Sequence, residues 1–527
     1  MTASETGSMK QPCYVGDHAV ETPDKAAVIH GLTGEVLSYR ELDERSNRLA
    51  QYLHSLGLGR GDRLALFMEN HIRYLEICWA ALRSGLLVVP ISRFLTAVEA
   101  DYIVNDSDAK VVISSFALRE TAAELLARSA ENASPRLSFL MVGGTIDGWS
   151  SYEDTILRHP AQRLDEEWLG ATMLYSSGTT GRPKGIIRAQ PDRLVSEGPT
   201  PVRRETIAAY GITSETVYLS PAPLYHAAPL GFCLDVQFCG GTVVIMDKFD
   251  PLEALRMIER YRISHSQWVP TMFVRMLKLS DEERYRYDLS SHRVAVHAAA
   301  PCPVEVKRRM IDWWGPILVE YYAASEANGA TFIDSKDWLA HPGSVGRARL
   351  GVLHVCDEAG DELPAGQGGL VYFERDALTF HYHKDPQKTR SAQHPLHPTW
   401  TTLGDIGYVD EEGYLYLTDR QSFMIISGGV NIYPQAIENA LVLHPAVTDV
   451  AVIGVPNADL GEEVKAIVQP APWVTPSEAL ADELIHFLRG RIGRHMLPRS
   501  VDFVEELPRL PTGKLRKHEL RARYLSS

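Results

Sequence analysis

No two of the six cysteines (Cys13, Cys78, Cys233, Cys239, Cys302 and Cys356) stand as a C-x-x-C pair. Such scatter argues for reduced thiols rather than a disulfide framework or a zinc site. Nor do about 18 apolar residues run together anywhere, as a bilayer span requires. The first 30 residues lack the continuous apolar core of a secretory signal. A soluble, cytoplasmic protein with no membrane span is therefore expected. A basic excess is missing as well: 53 Lys and Arg against 67 Asp and Glu leave a formal net charge of −14. That balance speaks against a nucleic-acid partner, though it leaves room for local basic patches that meet phosphates. Low-complexity tracts and repeats of fixed period are also absent.

What is present is 527 residues, 45% hydrophobic and 23% charged, an ordinary globular composition on a chain too long for one hydrophobic core. At least two domains are expected. Residues 39–56 (YRELDERSNRLAQYLHSL) have helical spacing, and 63–67 (RLALF) read as a strand. Residues 74–83 are helical and 86–90 extended; 97–104 are helical and 110–114 extended. Strands alternating with helices predict a mostly parallel α/β sheet. Turn-rich CDEAGDEL (356–363) and the apolar strand in GQGGLVYF (366–373) mark a β-rich subdomain near 340–420. Beyond it, a helix at 434–443, strands at 450–455 and 463–469, and a charged helix at 477–491 read as a small α+β domain. The boundary is placed near Arg420, giving a large N-terminal α/β domain over 1–420 and a C-terminal domain over 421–527.

The strongest local signal is YSSGTTGRPKG at 175–185, directly after the apolar run 171–174. A strand that delivers a Gly/Ser/Thr loop exposes backbone N–H groups and hydroxyls, and Lys184 adds a cation; together they suit a polyphosphate. It is not a Walker loop, because Gly185 rather than Ser or Thr follows Lys184.

This loop resembles the phosphate loop of the adenylate-forming superfamily, which contains acyl-CoA synthetases, peptide-synthetase adenylation domains and luciferases. Four further motifs follow in that superfamily's order: YAASE at 322–326, Gly404-Asp405 with Asp419-Arg420, SGGVNIYP at 427–434, and PTGKL at 511–515. The chain is most similar to the acyl-CoA synthetases. The resemblance implies a layered α/β N-terminal domain, a small mobile C-terminal domain, and the use of ATP, Mg²⁺ and coenzyme A. It implies that Ser176, Ser177, Gly178, Thr179 and Thr180 hold the β- and γ-phosphates, with Lys184 closing the loop. Ala299, Ala300 and Pro301 would sandwich adenine against Tyr322, with Ala323 beside it. Ser325 would meet phosphate, Glu326 would bind Mg²⁺, and Asp405 with Arg420 would take the ribose. Lys514 would bridge carboxylate and α-phosphate, His226 would lie beside the acyl group, and Gly428 and Gly429 would line the pantetheine tunnel.

Several positions depart from the pattern. Ser422 stands at the hinge where Asp or Lys is usual, and Phe423 where an acid is common. Leu403 replaces a threonine, Ala323 a glycine and Gln190 a histidine. An acyl-CoA ligase is the leading expectation. HAAAPCP (297–303), with Trp313-Trp314 and Tyr321-Tyr322, resembles acyl-CoA synthetases of which some act on bulky or alicyclic acids, and the absence of an Asp or Lys to pair with an amino-acid substrate points to an apolar acid. No carrier-protein domain is expected on this chain, which favours free CoA. Ligation to a carrier-protein phosphopantetheine, thioester formation from a supplied adenylate, a non-catalytic acyl-CoA or nucleotide binder, and luciferase-like oxidation stay open. Self-association is left open too.

Overall fold

The computed structural model describes residues 13–131, 137–176, 183–420, 423–428, 430–457, 459–509 and 515–525. Its chain forms two compact units. One comprises Met1–Ser176, Gly185–Gln267 and Tyr285–Val294; the other Ser177–Lys184, Trp268–Arg284 and Ala295–Ser527. The position near Arg420 lies inside the second unit.

In the first unit, six strands form an all-parallel sheet in the order Ser150–Ser151, Ser138–Val142, Val111–Ser115, Arg63–Phe67, Leu87–Ile91, Ala171–Thr172. Helices Tyr39–Ser55, Tyr74–Arg83, Ala97–Asp106 and Arg119–Glu131 connect or cover them, as the alternation in the sequence predicts. Every residue of Leu87–Ile91 is buried, which is why LVVPI carries no polar alternation: a strand covered on both faces needs apolar side chains on both. Two of the helices start at capping boxes, Ser38 with Glu41 and Thr96 with Glu99, each satisfying otherwise orphaned N–H groups. The edge strand Ala171–Thr172 pairs with Leu87 and Val88 and runs on into Leu174–Ser176. The phosphate-loop candidate thus opens at a strand end. A second parallel set in this unit joins Ala26–His30, Thr242–Ile245 and Val217–Ser220.

The second unit starts from a parallel pair, Ala295–His297 against Leu318–Glu320, continued antiparallel by Ala330–Asp334 and Arg347–Leu350. Where the sequence indicates a β-rich subdomain, Val352–Cys356, Gly369–Glu374, Trp400–Val409 and Leu415–Arg420 form a four-stranded antiparallel sheet. Val345, Val371, Phe373 and Leu415 make its core, with Tyr322 packed against them. Further on, the long hairpin Val447–Asn457/Gly461–Pro470 packs on helices Pro434–Leu441 and Glu478–Leu488 through Ile437, Leu441, Val452, Val468 and Leu484. Ser500–Phe503 joins it in parallel. These are the mixed elements expected after residue 421.

Candidate active site

Ser176 ends the strand Leu174–Ser176, and Lys184 opens the strand Lys184–Arg188. Ser177, Gly178, Thr179 and Thr180 between them lie outside the described residues, as do Ser422, Gly429, Lys514 and the side chain of Arg420. The Lys184 ammonium stands 3.1 Å from Asp385 Oδ2. Asp385 also caps the short helix Pro386–Ser391, accepting from the Lys388 N–H at 3.0 Å. That backbone N–H, and then Lys184, hold the Asp385 carboxyl below its ordinary range.

Tyr322 and Asp405 come together. Tyr322 lies on Leu318–Ala323, and its phenol donates to Asp405 Oδ2 at 2.6 Å. Asp405, on Trp400–Val409, is buried and sits directly across the sheet from Arg420. The backbone therefore places the two ribose candidates side by side. Gly404 precedes them at φ +82° with no atom within 4 Å of where a Cβ would stand. Ala299 holds φ 75° without being glycine. Such left-handed backbone is uncommon outside glycine and tends to persist at functional sites. The N–H of its neighbour Ala298 donates to the Trp268 carbonyl at 3.3 Å. Ala300 and Pro301 follow without entering an element, while Ala323 ends its strand just before a turn, closed by the 3.0 Å bond from the Ala327 N–H to the Ala324 carbonyl, that contains Ser325.

Glu326 is buried and accepts from the Tyr382 phenol through Oε1 at 2.8 Å. The Lys388 ammonium lies 4.4 Å from the centre of the Tyr382 ring. Burial lowers the Lys388 ammonium below its ordinary value, and Glu326 and Asp385 partly offset this. Among the described residues no group of three or more His, Cys, Asp or Glu could enclose a metal. A single buried carboxylate fits Mg²⁺, which binds through one or two carboxylates while substrate phosphates and water complete its octahedron. Tyr382, Asp385 and Lys388 escape a motif reading. The Asp385-Pro386 pair, a capping residue followed by proline at the first helical position, is the one local signal that marks the segment.

His226 lies in the first unit, whereas the other described candidates from Ala299 onward lie in the second. It is the N-cap residue of helix Ala227–Phe238, half-buried, with its ring 4.4 Å from that of Tyr225. Gly428 turns at φ +58° between Ile425–Ser427 and Val430–Ile432, its N–H bonded to the Leu460 carbonyl at 2.8 Å. Phe423 faces the Lys517 ammonium at 5.4 Å, and Lys517 in turn pairs with Glu438 at 2.8 Å.

A family model described as AMP-binding enzyme matches residues 15–383, and one described as AMP-binding enzyme C-terminal domain matches 436–514. The chain belongs to the AMP-binding enzyme family. A feruloyl-CoA synthase of an Amycolatopsis species is 34% identical over 507 residues, covering 95% of this chain and 96% of the relative. The long-chain-fatty-acid–CoA ligase FadD13 of Mycobacterium tuberculosis (strain ATCC 25618 / H37Rv) is 30% identical over 514 residues, covering 96% and 97%. Among solved structures, ATP-bound MatB from Rhodopseudomonas palustris superposes with a TM-score of 0.79 at 29% identity, covering 97% of this chain and 99% of that one. The enzyme is accordingly an AMP-forming acid–CoA ligase, and ATP, Mg²⁺ and coenzyme A are its cofactors and co-substrates. No helix among the described residues is long and apolar enough to cross a membrane.

Proposed function

We propose that the acid this enzyme activates is apolar and bulky, and that it works in the cytoplasm with free coenzyme A as acceptor. The observation that carries the substrate reading is the largely buried aromatic cluster packed against His297, at the head of residues 297–303. Trp268 lies 5.4 Å from Trp314, Phe273 lies 5.9 Å from Trp314, and Phe273 meets His297 edge-on at 5.4 Å. Burial holds His297 well below its ordinary pKa, so it brings no charge there. The segment itself, HAAAPCP, has no Asp or Lys to pair with a substrate ammonium or a second carboxylate. The relatives named above, one for ferulate and one for long-chain fatty acids, support an acid of this class.

Two displacements make up the reaction. A carboxylate oxygen attacks the α-phosphorus of ATP and pyrophosphate leaves; the CoA sulfur then attacks the acyl carbonyl carbon and AMP leaves. In the first step two anions meet, so positioning and charge stabilisation supply most of the help. Ser176, Ser177, Gly178, Thr179, Thr180 and Lys184 take the role of phosphate cradle, and Lys514 that of a cation between carboxylate and α-phosphate. Tyr322 and Ala299–Pro301 hold adenine; the 2.6 Å bond ties Tyr322 to Asp405, the carboxylate that takes the ribose hydroxyls. Glu326 would hold Mg²⁺, which when bound neutralises phosphate charge. Gly428 and Gly429 leave room for the pantetheine arm, and Ser422, beside Phe423, is the hinge of a C-terminal domain beginning at 421. His226 borders the acyl group.

A panel of acids incubated with ATP, Mg²⁺ and CoA, scored by acyl-CoA mass, tests the reading. Hydroxycinnamates, alicyclic acids and fatty acids are expected to yield thioesters, and amino acids and short dicarboxylates to yield none. Preference for a polar acid, or for a phosphopantetheinylated carrier over CoA, would replace the corresponding half of the proposal.

A further inference from the structure

Glu326 and Lys184 come from motifs more than a hundred residues apart, yet one short segment touches both. Tyr382, last residue of the strand Phe380–Tyr382, bonds Glu326 Oε1 at 2.8 Å. Its ring is braced by Phe380 edge-on at 5.4 Å and by the Lys388 ammonium at 4.4 Å, and its N–H is bonded to Thr389 Oγ1 at 2.9 Å. Lys388 and Thr389 belong to the helix Pro386–Ser391, and the residue that caps that helix, Asp385, pairs with Lys184 at 3.1 Å.

We propose that Tyr382 and Asp385, braced by Lys388, are positioning residues for adenylation: the phenol fixes which oxygen of Glu326 faces Mg²⁺, and Asp385 sets the reach of the Lys184 ammonium. This rests on the roles assigned to Glu326 and Lys184 under Proposed function. A glutamate's last torsion is broad, so an untethered carboxylate presents either oxygen in many orientations. One charge-assisted hydrogen bond removes most of that freedom. A cation over the ring face draws on the ring's electron density and makes the phenol a better donor. Lysine is a point charge on a flexible stem, and a capped helix end is a firm place from which to hold it.

Tyr382→Phe deletes one oxygen and keeps the ring with its Lys388 contact. Isothermal titration of the full chain with a β,γ-methylene analogue of ATP, with and without Mg²⁺, reads binding directly. The Mg²⁺-dependent gain in affinity is expected to fall about tenfold, the usual scale for loss of a residue that orients a metal ligand, while Mg²⁺-free affinity stays put. Acid-dependent pyrophosphate release should lose kcat about tenfold with the KM for the acid little changed. Transfer from supplied acyl-adenylate to CoA should be spared. Asp385→Asn should raise the KM for ATP several-fold, and Asp385→Glu should restore part of it. A folded Tyr382→Phe enzyme with an unchanged Mg²⁺-dependent gain would overturn the proposal. Should that variant not fold, Lys388→Met carries the same test, since it leaves the phenol and removes the charge from its ring: a several-fold loss is expected, and no loss overturns. Glu326→Gln in the same titration separates the two levels. If Glu326→Gln alone reduces the Mg²⁺ gain, the positioning role is wrong; if neither variant does, the metal assignment of Glu326 is wrong.

Discussion

Tyr322 and Asp405 stand 83 positions apart in the chain and 2.6 Å apart in space. Each is recognisable in the sequence only through its motif's place in an order; their mutual bond is a product of two strands meeting. The departures from the family pattern show the reverse limit. Gln190, where a histidine is frequent, donates its amide to the Gly85 carbonyl, a structural duty that no motif conveys. Phe423, where an acid is common, lies against Lys517, whose charge is met instead by Glu438. Buried histidines give a further prediction at this scale. Burial pushes His292 down to about 3, and lowers His265 and His297 as well. A histidine with a depressed folded pKa imposes no penalty above its unfolded value near 6.5. As pH falls below that value the unfolded chain takes up a proton that the folded chain refuses, so stability falls with pH until the folded pKa is reached. Each such histidine contributes up to about 1.4 kcal/mol per pH unit in that window. Chemical denaturation between pH 6.5 and 5, above most carboxylate titrations, should show this slope. His292→Gln, which keeps a polar group but does not titrate, should reduce the proton uptake on unfolding by close to one.

At the scale of elements, glycines that look alike in sequence differ sharply in cost. Gly346 has φ +96°, and a Cβ there would stand 2.1 Å from the Phe332 carbonyl oxygen, which is backbone and has no rotamer to escape into. Gly346 also bridges to Leu415 of the four-stranded sheet, so a shift would disturb two sheets at once. Gly346→Ala should cost well over 2 kcal/mol, combining the left-handed penalty of about 1–2 kcal/mol with a backbone clash. Gly404→Ala, at φ +82° in open space, should cost only that left-handed penalty. Urea unfolding of the two variants measures the difference. The elements themselves were largely legible. The helix read at 39–56 is Tyr39–Ser55, and the strand read at 463–469 is the middle of Gly461–Pro470, because hydrophobic period and capping residues are local quantities. The segment that carries Tyr382, Asp385 and Lys388 was not, since a three-residue strand and a six-residue helix are too short to show a period, and their importance lies in what they touch.

Across the whole molecule, the chemistry asks one active site to serve two displacements in turn, so a residue needed in only one of them should separate the two in assay. In the role proposed for it, Lys514 would offset the repulsion between carboxylate and α-phosphate, a charge problem that exists only in the first displacement. Lys514→Ala is expected to lower acid-dependent pyrophosphate release by two orders of magnitude or more (~3 kcal/mol of transition-state stabilisation, the scale of one lost electrostatic donor). Thioester formation from a supplied acyl-adenylate should continue at nearly the wild-type rate. Gly429→Leu should do the opposite: with Gly429 in the tunnel role proposed for it, a side chain in the path of the pantetheine arm would block thiol attack yet leave adenylation intact. Ser422 and Phe423 depart from the family pattern at the proposed hinge, through drift or through a bias between the two steps, and the two accounts differ in assay. If they bias the enzyme toward thioester formation, wild type should consume pre-formed acyl-adenylate much faster than ATP plus acid, and Ser422→Asp should narrow that gap. Equal rates for both half-reactions on the best acid would remove the bias and leave Ser422 a tolerated hinge. Equal loss of both activities in Lys514→Ala would mean instead that the lysine holds the C-terminal segment together rather than meeting the α-phosphate.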